Sequence, residues 1–178
     1  MISYREATPQ DADILAQMHT QSWRHRYRGI LLDAYLEKEV EADRLRVWRE
    51  RLGDPSTTQH IVIAMEGKAP AGFACIYAQH DPQWGALLDN LHVLPAWQGR
   101  GIGRALMDKA ARWVNGQAPD EGLYLWVYEQ NEGAISFYER AGGVRQEVTV
   151  VDNPGGGQGT VWRYVWPTPQ TLFSSQES

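Results

Sequence analysis

The sequence predicts an α/β (α+β) fold in which one domain is built on a mixed, mostly antiparallel sheet of about seven strands flanked by about four helices. Two observations lead to this prediction. Short apolar runs of strand length alternate with segments whose apolar residues recur at helical spacing, and no linker or internal repeat divides the 178 residues. The resulting order of elements is β-α-α-β-β-β-α-β-α-β-β, which places helices on a single sheet.

The N-terminal third contains one strand and two helical segments. Residues 2–7 form the first strand, and Thr8 and Pro9 then suit the N-cap and the first position of a helix. One face of this helix is marked by Ile14, Leu15, Met18 and Ser22. A second helical pattern follows the stretch 23–31, with apolar residues at Leu36, Val40, Leu45, Trp48 and Leu52. Two successive helices are therefore expected before the next strand.

The rest of the chain supplies most of the sheet. Strands are predicted at 60–65, 72–78, 86–93, 122–129, 144–151 and 159–166, and helices at 102–116 and 131–142. The turns after the first and the fifth of these strands favour hairpins. We expect the domain to span residues 1–167 and residues 168–178 to form a polar, frayed C-terminal tail.

Composition and charge exclude several classes of protein. The formal charge of −5 argues against general binding to nucleic acid or to an anionic membrane. Cys75 is the only cysteine, so an internal disulfide is excluded and no zinc-ligand set is present; no metal site is predicted. No signal peptide is recognisable, and no stretch approaches the roughly 18 apolar residues of a membrane span. A cytoplasmic protein is the expectation.

Residues 95–106, PAWQGRGIGRAL, place three glycines and two arginines between a strand and a helix. Unpaired amides at a helix start favour an anion, and glycines let a phosphate group approach the backbone closely. The dinucleotide fingerprint G-x-G-x-x-G requires a glycine where Leu106 stands, and the P-loop pattern is not matched. The pattern that does match is Q-x-x-G-x-G, from Gln98 to Gly103.

This pattern resembles the acyl-CoA signature of the GNAT superfamily of N-acetyltransferases. A second element, from Asn131 to Gly142, is similar to the family's N-x-x-A-x-x-F/L-Y-x-x-x-G helix. Together the two motifs cover residues 86–142, and the order of elements also agrees. The resemblance implies a single GNAT-type domain that binds acetyl-CoA (coenzyme A) and moves its acetyl group, or a longer acyl group, to an amine.

The resemblance also implies a set of site residues. Contacts to acetyl-CoA are expected from Leu91, His92, Val93, Gln98, Gly99, Arg100, Gly101, Ile102, Gly103, Arg104, Asn131 and Tyr138. The amide of Val93 or Leu94 is the expected oxyanion donor. Tyr138 matches the family's acid, and a phenol with an ordinary pKa of about 10 is protonated at neutral pH.

The general base is left open between several groups. The predicted strand 86–93 offers Asp89 and His92, and strand alternation predicts Asp89 on the face of Leu91 and Val93, with His92 opposite. Relatives often carry a glutamate on this strand where this chain has leucine. Glu129 is a third candidate, and loss of the amine proton to bulk water is the alternative to all three.

The acceptor is a small-molecule or peptide amine that the sequence does not identify. Trp23 and Tyr27 either wall the acceptor pocket or pack on the sheet. The basic run of Arg24, His25, Arg26 and Arg28 is expected to be a solvated face, with attraction of an acidic acceptor as the alternative. Direct attack in a ternary complex is favoured over a covalent intermediate on the enzyme. A catalytically weak acyl-CoA-binding sensor is the rival interpretation, and a homodimer is compatible with the resemblance.

Overall fold

The computed structural model describes residues 1–173, which form one seven-stranded sheet in the order β1-β2-β3-β4-β5-β7-β6. The strands are β1 (Ile2–Glu6), β2 (Gln59–Glu66), β3 (Ala69–Asp81), β4 (Gly85–Val93), β5 (Leu123–Tyr128), β6 (Val144–Asp152) and β7 (Gln158–Trp166). Neighbours in the sheet are antiparallel except β4 and β5, which are parallel. The predicted mixed, mostly antiparallel sheet is confirmed.

Five α-helices flank the sheet within the described residues, and four of them have nine or more residues, in agreement with the predicted number of about four. They are α1 (Ala12–Arg26), α2 (Asp33–Lys38), α3 (Val40–Gly53), α4 (Ile102–Gln117) and α5 (Glu132–Arg140). The additional helix arises because the second predicted helix is interrupted at Glu39. Leu36 and Val40 keep the i, i+4 spacing of a single helix across this break, so the spacing gave no sign of it.

The sheet has an apolar core on each face. On one face, α4 and α5 cover a cluster that includes the fully buried Leu106 and Met107. On the other face, α1 and α3 cover a cluster that includes Leu15 and Trp48. A smaller cluster under α2 contains Trp23 and Tyr35, among others. Because both faces are covered, the space for a ligand is at an edge or a gap in the sheet.

Such a gap lies between β4 and β5. These parallel strands pair only at Ala86–Leu123 and Leu87–Tyr124, near their N-terminal ends. β4 nevertheless continues to Val93, so the strands run on without further pairing. The sheet therefore opens into a V, and α4 and α5 begin at the open end.

A bulge in β4 shifts the faces of its side chains. Leu88 pairs with Ile76 and Asn90 pairs with Cys75, so that Asp89 is an extra residue without a partner in the ladder. The predicted alternation was wrong here: Asp89 does not share the face of Leu91 and Val93, which pack on the α4 side. Its carboxylate instead meets Arg51 of α3, on the opposite side of the sheet.

The described part of the predicted C-terminal tail is packed, not frayed. Pro169–Leu172 form a 3-10 turn, and Leu172 is fully buried in the core beside α4. The Arg104 side chain donates a hydrogen bond to the carbonyl oxygen of Leu172 at 2.5 Å. The packed domain thus extends past residue 167, while residues 174–178 of the predicted tail lie outside the described residues.

Candidate active site

A cleft of about 490 Å³ occupies the gap between β4 and β5. Its walls come from the ends of these strands, the turn before α4, the inner side of α5 and the C-terminal end of α1. Most of the predicted site residues line it: Tyr27, Asp89, Leu91, His92, Val93, Gln98, Gly99, Gly101, Ile102, Gly103, Arg104, Asn131 and Tyr138. Four candidates do not line it: Trp23, Arg100, Leu94, the alternative oxyanion donor, and Glu129, the third candidate base.

One end of the cleft is formed by the glycine turn and the start of α4. Gly99 and Gly101 have φ of +75° and +76°, in the left-handed region that favours glycine. A Cβ on either residue would meet nothing within 4 Å, so backbone conformation, not space, requires glycine there. Since the first amides of a helix have no partner within it, the amides that open α4 at Ile102 are free to bind an anion.

The two arginines of this turn have different environments. Arg104 lines the cleft. The Arg100 guanidinium instead binds the Glu66 carboxylate of β2 at 2.5 and 3.1 Å, and the Trp97 indole donates to the same carboxylate. The hydrogen bonds from Arg100 hold the pKa of Glu66 at about 2, so the pair is charged at neutral pH. The predicted contact of Arg100 with a cofactor is thereby reduced to its backbone.

The free edge of β4 presents backbone groups to the cleft. The Leu94 amide donates to the carbonyl of Ala71 at 2.9 Å, which fixes the alternation of the strand. The backbone groups of Val93 and Leu91 consequently point away from β3 and into the gap. The Gln98 side chain donates to the Val93 carbonyl at 3.0 Å and leaves the Val93 amide open. Of the two predicted oxyanion donors, only Val93 is available.

The N-cap of α5 supplies Asn131, and the last turn of the helix supplies Tyr138. The Asn131 side chain caps the helix by accepting from the Ala134 amide at 3.4 Å, and it also lines the cleft. The Tyr138 hydroxyl has no hydrogen-bond partner within residues 1–173. Burial raises the pKa of Tyr138 to about 12, so that its phenol is a proton donor at neutral pH.

Neither predicted base on β4 is free to act as a strong one. The Asp89 carboxylate is paired with Arg51 at 2.8 Å. His92 Nδ1 lies 2.8 Å from the Ser22 hydroxyl, and burial, assisted by Arg26 and Arg44, lowers the pKa of His92 to about 3. The imidazole is neutral at pH 7 and too weakly basic to keep a proton taken from an ammonium group.

Glu129, the third candidate base, does not line the cleft. Its carboxylate accepts a hydrogen bond from the Trp162 indole at 3.3 Å. Within the part of the chain that the structure describes, Asp89 is therefore the only carboxylate on the cleft wall. The same residues contain no group of three or more His, Cys, Asp and Glu side chains that could hold a metal ion. None of their helices combines the length and the apolar character needed to cross a membrane.

Trp23 and Tyr27 lie in different environments: Trp23 is outside the cleft and Tyr27 lines it. Trp23 is 9% exposed and packs in the cluster under α2, with the Arg44 guanidinium 4.4 Å from its ring centre. Of the two alternatives for Trp23, this burial favours packing in the core, and a contact with the acceptor stays a prediction. Tyr27 lines the cleft and makes an edge-to-face contact with Tyr128 at 5.3 Å.

Two further cleft residues lie on α1: Ser22, which was predicted only as part of a helix face, and Arg26, for which a solvated face was expected and attraction of an acidic acceptor was the alternative. They are four residues apart and therefore lie on one side of the helix. The helical spacing predicts that the two side chains share a face of α1. It does not predict that this face lies toward the gap in the sheet, because that depends on the packing of α1. Phe137, Trp126 and Arg140 also line the cleft without having been predicted to do so.

The chain matches the model of the acetyltransferase (GNAT) family over residues 18–143. It is 29% identical over 143 residues to the uncharacterized N-acetyltransferase YuaI of Bacillus subtilis, with 78% of each chain covered. It is 30% identical over 116 residues to the aminoglycoside N(6')-acetyltransferase type 1 of Stenotrophomonas maltophilia, with 62% of this chain and 65% of that protein covered. The fold is similar to that of the PaiA N-acetyltransferase from Thermoplasma acidophilum in complex with coenzyme A, with a TM-score of 0.70, 19% identity, and 93% and 99% of the two chains covered.

Proposed function

The chain belongs to the GNAT family of acetyltransferases, and from that premise we propose that it moves the acetyl group of acetyl-CoA to an amine by direct attack in a ternary complex. One observation carries the proposal. A single cleft between β4 and β5 joins an anion-binding turn at Gly99–Arg104 to a free phenol at Tyr138. These are the two groups that acyl transfer from a phosphate-bearing thioester needs: one to hold the donor, and one to protonate its sulfur.

The residues of the cleft fit acetyl-CoA at three points. The left-handed turn and the amides that open α4 suit its pyrophosphate. The free edge of β4 at Leu91 and Val93 suits its extended amide-bearing arm, which would bind as an added strand does. Tyr138 suits the thioester end. Acetyl-CoA supplies a carbonyl carbon that is already activated for attack, so the protein's task is chiefly to position and to move protons.

Two cleft residues, Val93 and Tyr138, take part in the proposed transfer. The amine nitrogen forms a bond to the carbonyl carbon, and the bond from that carbon to sulfur breaks. The Val93 amide donates to the carbonyl oxygen as it gains negative charge. Tyr138 gives its hydroxyl proton to the departing sulfur and is reprotonated through water in the cleft with the proton that the nitrogen loses. The amide product and a free thiol result.

An acyl-cysteine intermediate has no thiol to form on within the cleft residues that the structure describes. Cys75, the only cysteine, is fully buried in β3 against the α1 and α3 core. Burial raises the pKa of its thiol to about 12, so the thiolate is absent at neutral pH. Cys75 also does not line the cleft. These three facts support direct attack.

We assign no general base to the chain. The amine is proposed to lose its ammonium proton to water before attack. The positive field of Arg26 and Arg44, which together with burial lowers the pKa of His92, acts in the same direction on an ammonium group bound beside it. A larger fraction of the bound amine is then neutral than would be in free solution.

The test combines binding with turnover. Acetyl-CoA at one hundred times its Kd is expected to stabilise the fold by about 2.7 kcal/mol, measured as a raised thermal midpoint against NADH and ATP controls. Release of free thiol with a panel of amines then measures transfer. Tyr138→Phe is expected to lower kcat about 10- to 100-fold with acetyl-CoA binding retained. Tyr4→Phe, which removes a phenol from β1 outside the cleft, is the matched control.

The outcomes separate the parts of the proposal. Without a raised midpoint, the glycine turn is not a cofactor site and the proposal fails. A raised midpoint without transfer to any amine would favour an acyl-CoA-binding sensor. Unchanged turnover in Tyr138→Phe would remove only the proposed acid.

A further inference from the structure

The arginines around His92 differ in how their charge is balanced. Arg44 is paired with Asp43 at 2.9 Å, and Arg51 is paired with Asp89 at 2.8 Å. Arg26 lines the cleft, and within residues 1–173 no carboxylate or carbonyl oxygen receives a hydrogen bond or an ion pair from it. It is thus the cation at this end of the cleft that is left for a ligand.

The basic run of the sequence divides in the same way. The Arg24 side chain donates to the carbonyl of Leu36 at 2.8 Å and lies 3.7 Å from Glu41. Arg28 is paired with Asp33 and Glu37 at 3.1 and 3.0 Å. These two arginines connect α2 to the end of α1. For them, the expectation of a solvated face fits. It does not describe Arg26, which lies on the cleft side of α1 with Ser22.

Arg26 is placed at the end where transfer occurs. A Cβ built on Gly133 would lie 3.4 Å from its Nη1 atom, so the guanidinium spans from α1 to the first turn of α5. Its charge reaches other cleft residues, since it adds to the burial that lowers the pKa of His92 and opposes the burial that raises the pKa of Tyr138 and Tyr27. At the opposite end, Arg104 lies beside the glycine turn, and Arg140, at the end of α5, also lines the cleft and is unpaired within residues 1–173.

The cleft offers no matching site for an acceptor with several positive charges. Its only carboxylate within residues 1–173, that of Asp89, is already neutralised by Arg51. A polyamine or an aminoglycoside would bring several ammonium groups to a wall whose unpaired charge is positive. An amine that carries a carboxylate would bring that wall its missing anion, and a guanidinium binds a carboxylate through two parallel hydrogen bonds.

We propose that Arg26 selects the acceptor, and that the amine this enzyme acetylates carries a carboxylate, as an amino acid or a related aminocarboxylate does. The inference rests on the proposed function, because it assigns the acceptor of that same cleft. It predicts an acceptor that carries a negative charge, whereas the Stenotrophomonas maltophilia relative is named for aminoglycosides, which carry positive charges.

The experiment compares amino acids with their carboxamides, and each rate is expressed per neutral amine because removal of the carboxylate also lowers the pKa of the amine. Initial rates are measured for amino acids and their carboxamides, with spermidine and kanamycin as polycations. The wild type is expected to favour the carboxylate member by at least about tenfold in kcat/KM, the effect of one charge-assisted contact. Arg26→Gln is expected to abolish that preference by lowering kcat/KM for the carboxylate members at least about tenfold more than for the carboxamides, and Arg26→Lys to keep part of it. Arg28→Gln, which removes a paired surface cation from the same segment, is the matched control.

If kcat/KM of Arg26→Gln falls equally for an amino acid and for its carboxamide, the inference is overturned. A wild-type preference for the polycations would also overturn it. Either result leaves acetyl transfer standing. Weaker acetyl-CoA binding in Arg26→Gln would assign Arg26 to the donor and also overturn it. If the wild type acetylates no amine, the proposed function fails. The thermal midpoint with N-acetylated amino acids then still tests whether Arg26 binds a carboxylate.

Discussion

The two ends of the cleft are built from different parts of the polypeptide. The end proposed for the donor is made of backbone: a left-handed turn at Gly99 and Gly101, the amides that open α4, and the free edge of β4. The end proposed for the acceptor is made of side chains, with Tyr27 and Arg26 at its wall. A site made of backbone is encoded by a few adjacent residues. A site made of side chains depends on which distant segments come together.

Long-range contacts hold the acceptor end in place. The Asn153 side chain, in the connection between β6 and β7, donates to the carbonyl of Ile30 at 3.4 Å, across 123 positions of sequence. It also accepts from the Tyr128 hydroxyl at 2.9 Å. The ring of Tyr35 lies so close to Gly155 that a Cβ there would come within 2.3 Å of it. The wall that carries Tyr27 therefore depends on a loop near the other end of the chain.

The largest expected effect of a single substitution is at the backbone-built end. Gly101→Ala places a side chain on a residue with φ of +76°, which costs about 1–2 kcal/mol for an L-residue. A turn that rearranges to avoid this cost loses about two charge-assisted contacts to pyrophosphate, and acetyl-CoA binding should weaken about 100-fold. Isothermal titration calorimetry measures this change.

Gly116→Ala is the matched control for that variant. Gly116 lies in α4, has no positive φ, and would place its Cβ in open space. We expect it to raise the free energy of unfolding by about 0.5 kcal/mol and to leave acetyl-CoA binding unchanged. Equal binding in both variants would show that the turn does not hold the donor.

The pH dependence of the rate tests the acceptor end, where no strong base was found. Because the pKa of His92 is lowered to about 3, its imidazole stays neutral throughout the pH range of the assay and contributes no inflection there. We expect kcat/KM to rise about tenfold per pH unit until the pH reaches the pKa of the amine itself. An inflection near pH 6–7 that is the same for amines of different pKa would reveal a base on the enzyme.

The smallest expected effects on activity distinguish Tyr27 from Trp23. Tyr27→Phe removes a hydroxyl from the cleft wall and should raise KM for the amine about threefold, with the free energy of unfolding changed by less than about 0.5 kcal/mol. Trp23→Leu should lower the free energy of unfolding by about 3 kcal/mol because it leaves a cavity under α2, with kcat/KM per folded molecule nearly unchanged. Chemical denaturation and initial rates measure the two quantities. The reverse pattern would place Trp23, and not Tyr27, at the acceptor.

The donor end could be predicted from the sequence because its signals are local. The resemblance to the GNAT motifs, carried by Gln98, Gly101 and Gly103 after a strand and by Asn131 and Tyr138 at the next helix, implied one site for all five residues, and all five line the cleft. Hydrophobic patterning likewise predicted every strand of the sheet. In each case the neighbours in sequence determine the local conformation.

The predictions that failed concern the register of the chain and its long-range contacts. The single extra residue at Asp89 reverses the alternation of β4, and a pattern of period two cannot reveal it. Trp23 and Tyr27 are four residues apart, which suggests one face, but α1 ends at Arg26, and Tyr27 lies outside it. The role of Arg26 follows only from the partners that its neighbours have and it lacks.

The short pairing between β4 and β5 has a consequence for how this molecule can diversify. Only Ala86–Leu123 and Leu87–Tyr124 join the two halves of the sheet in register. Beyond these two pairs, apolar side chains pack between the two halves. This packing resists compression, but unlike hydrogen bonds it is not directional and does not fix the angle between the halves. The angle of the V is therefore set by side-chain volume near its apex, where Ala86 and Leu123 are fully buried. Exchange of one small residue for a larger one there alters the width of the opening without altering any residue that a substrate touches.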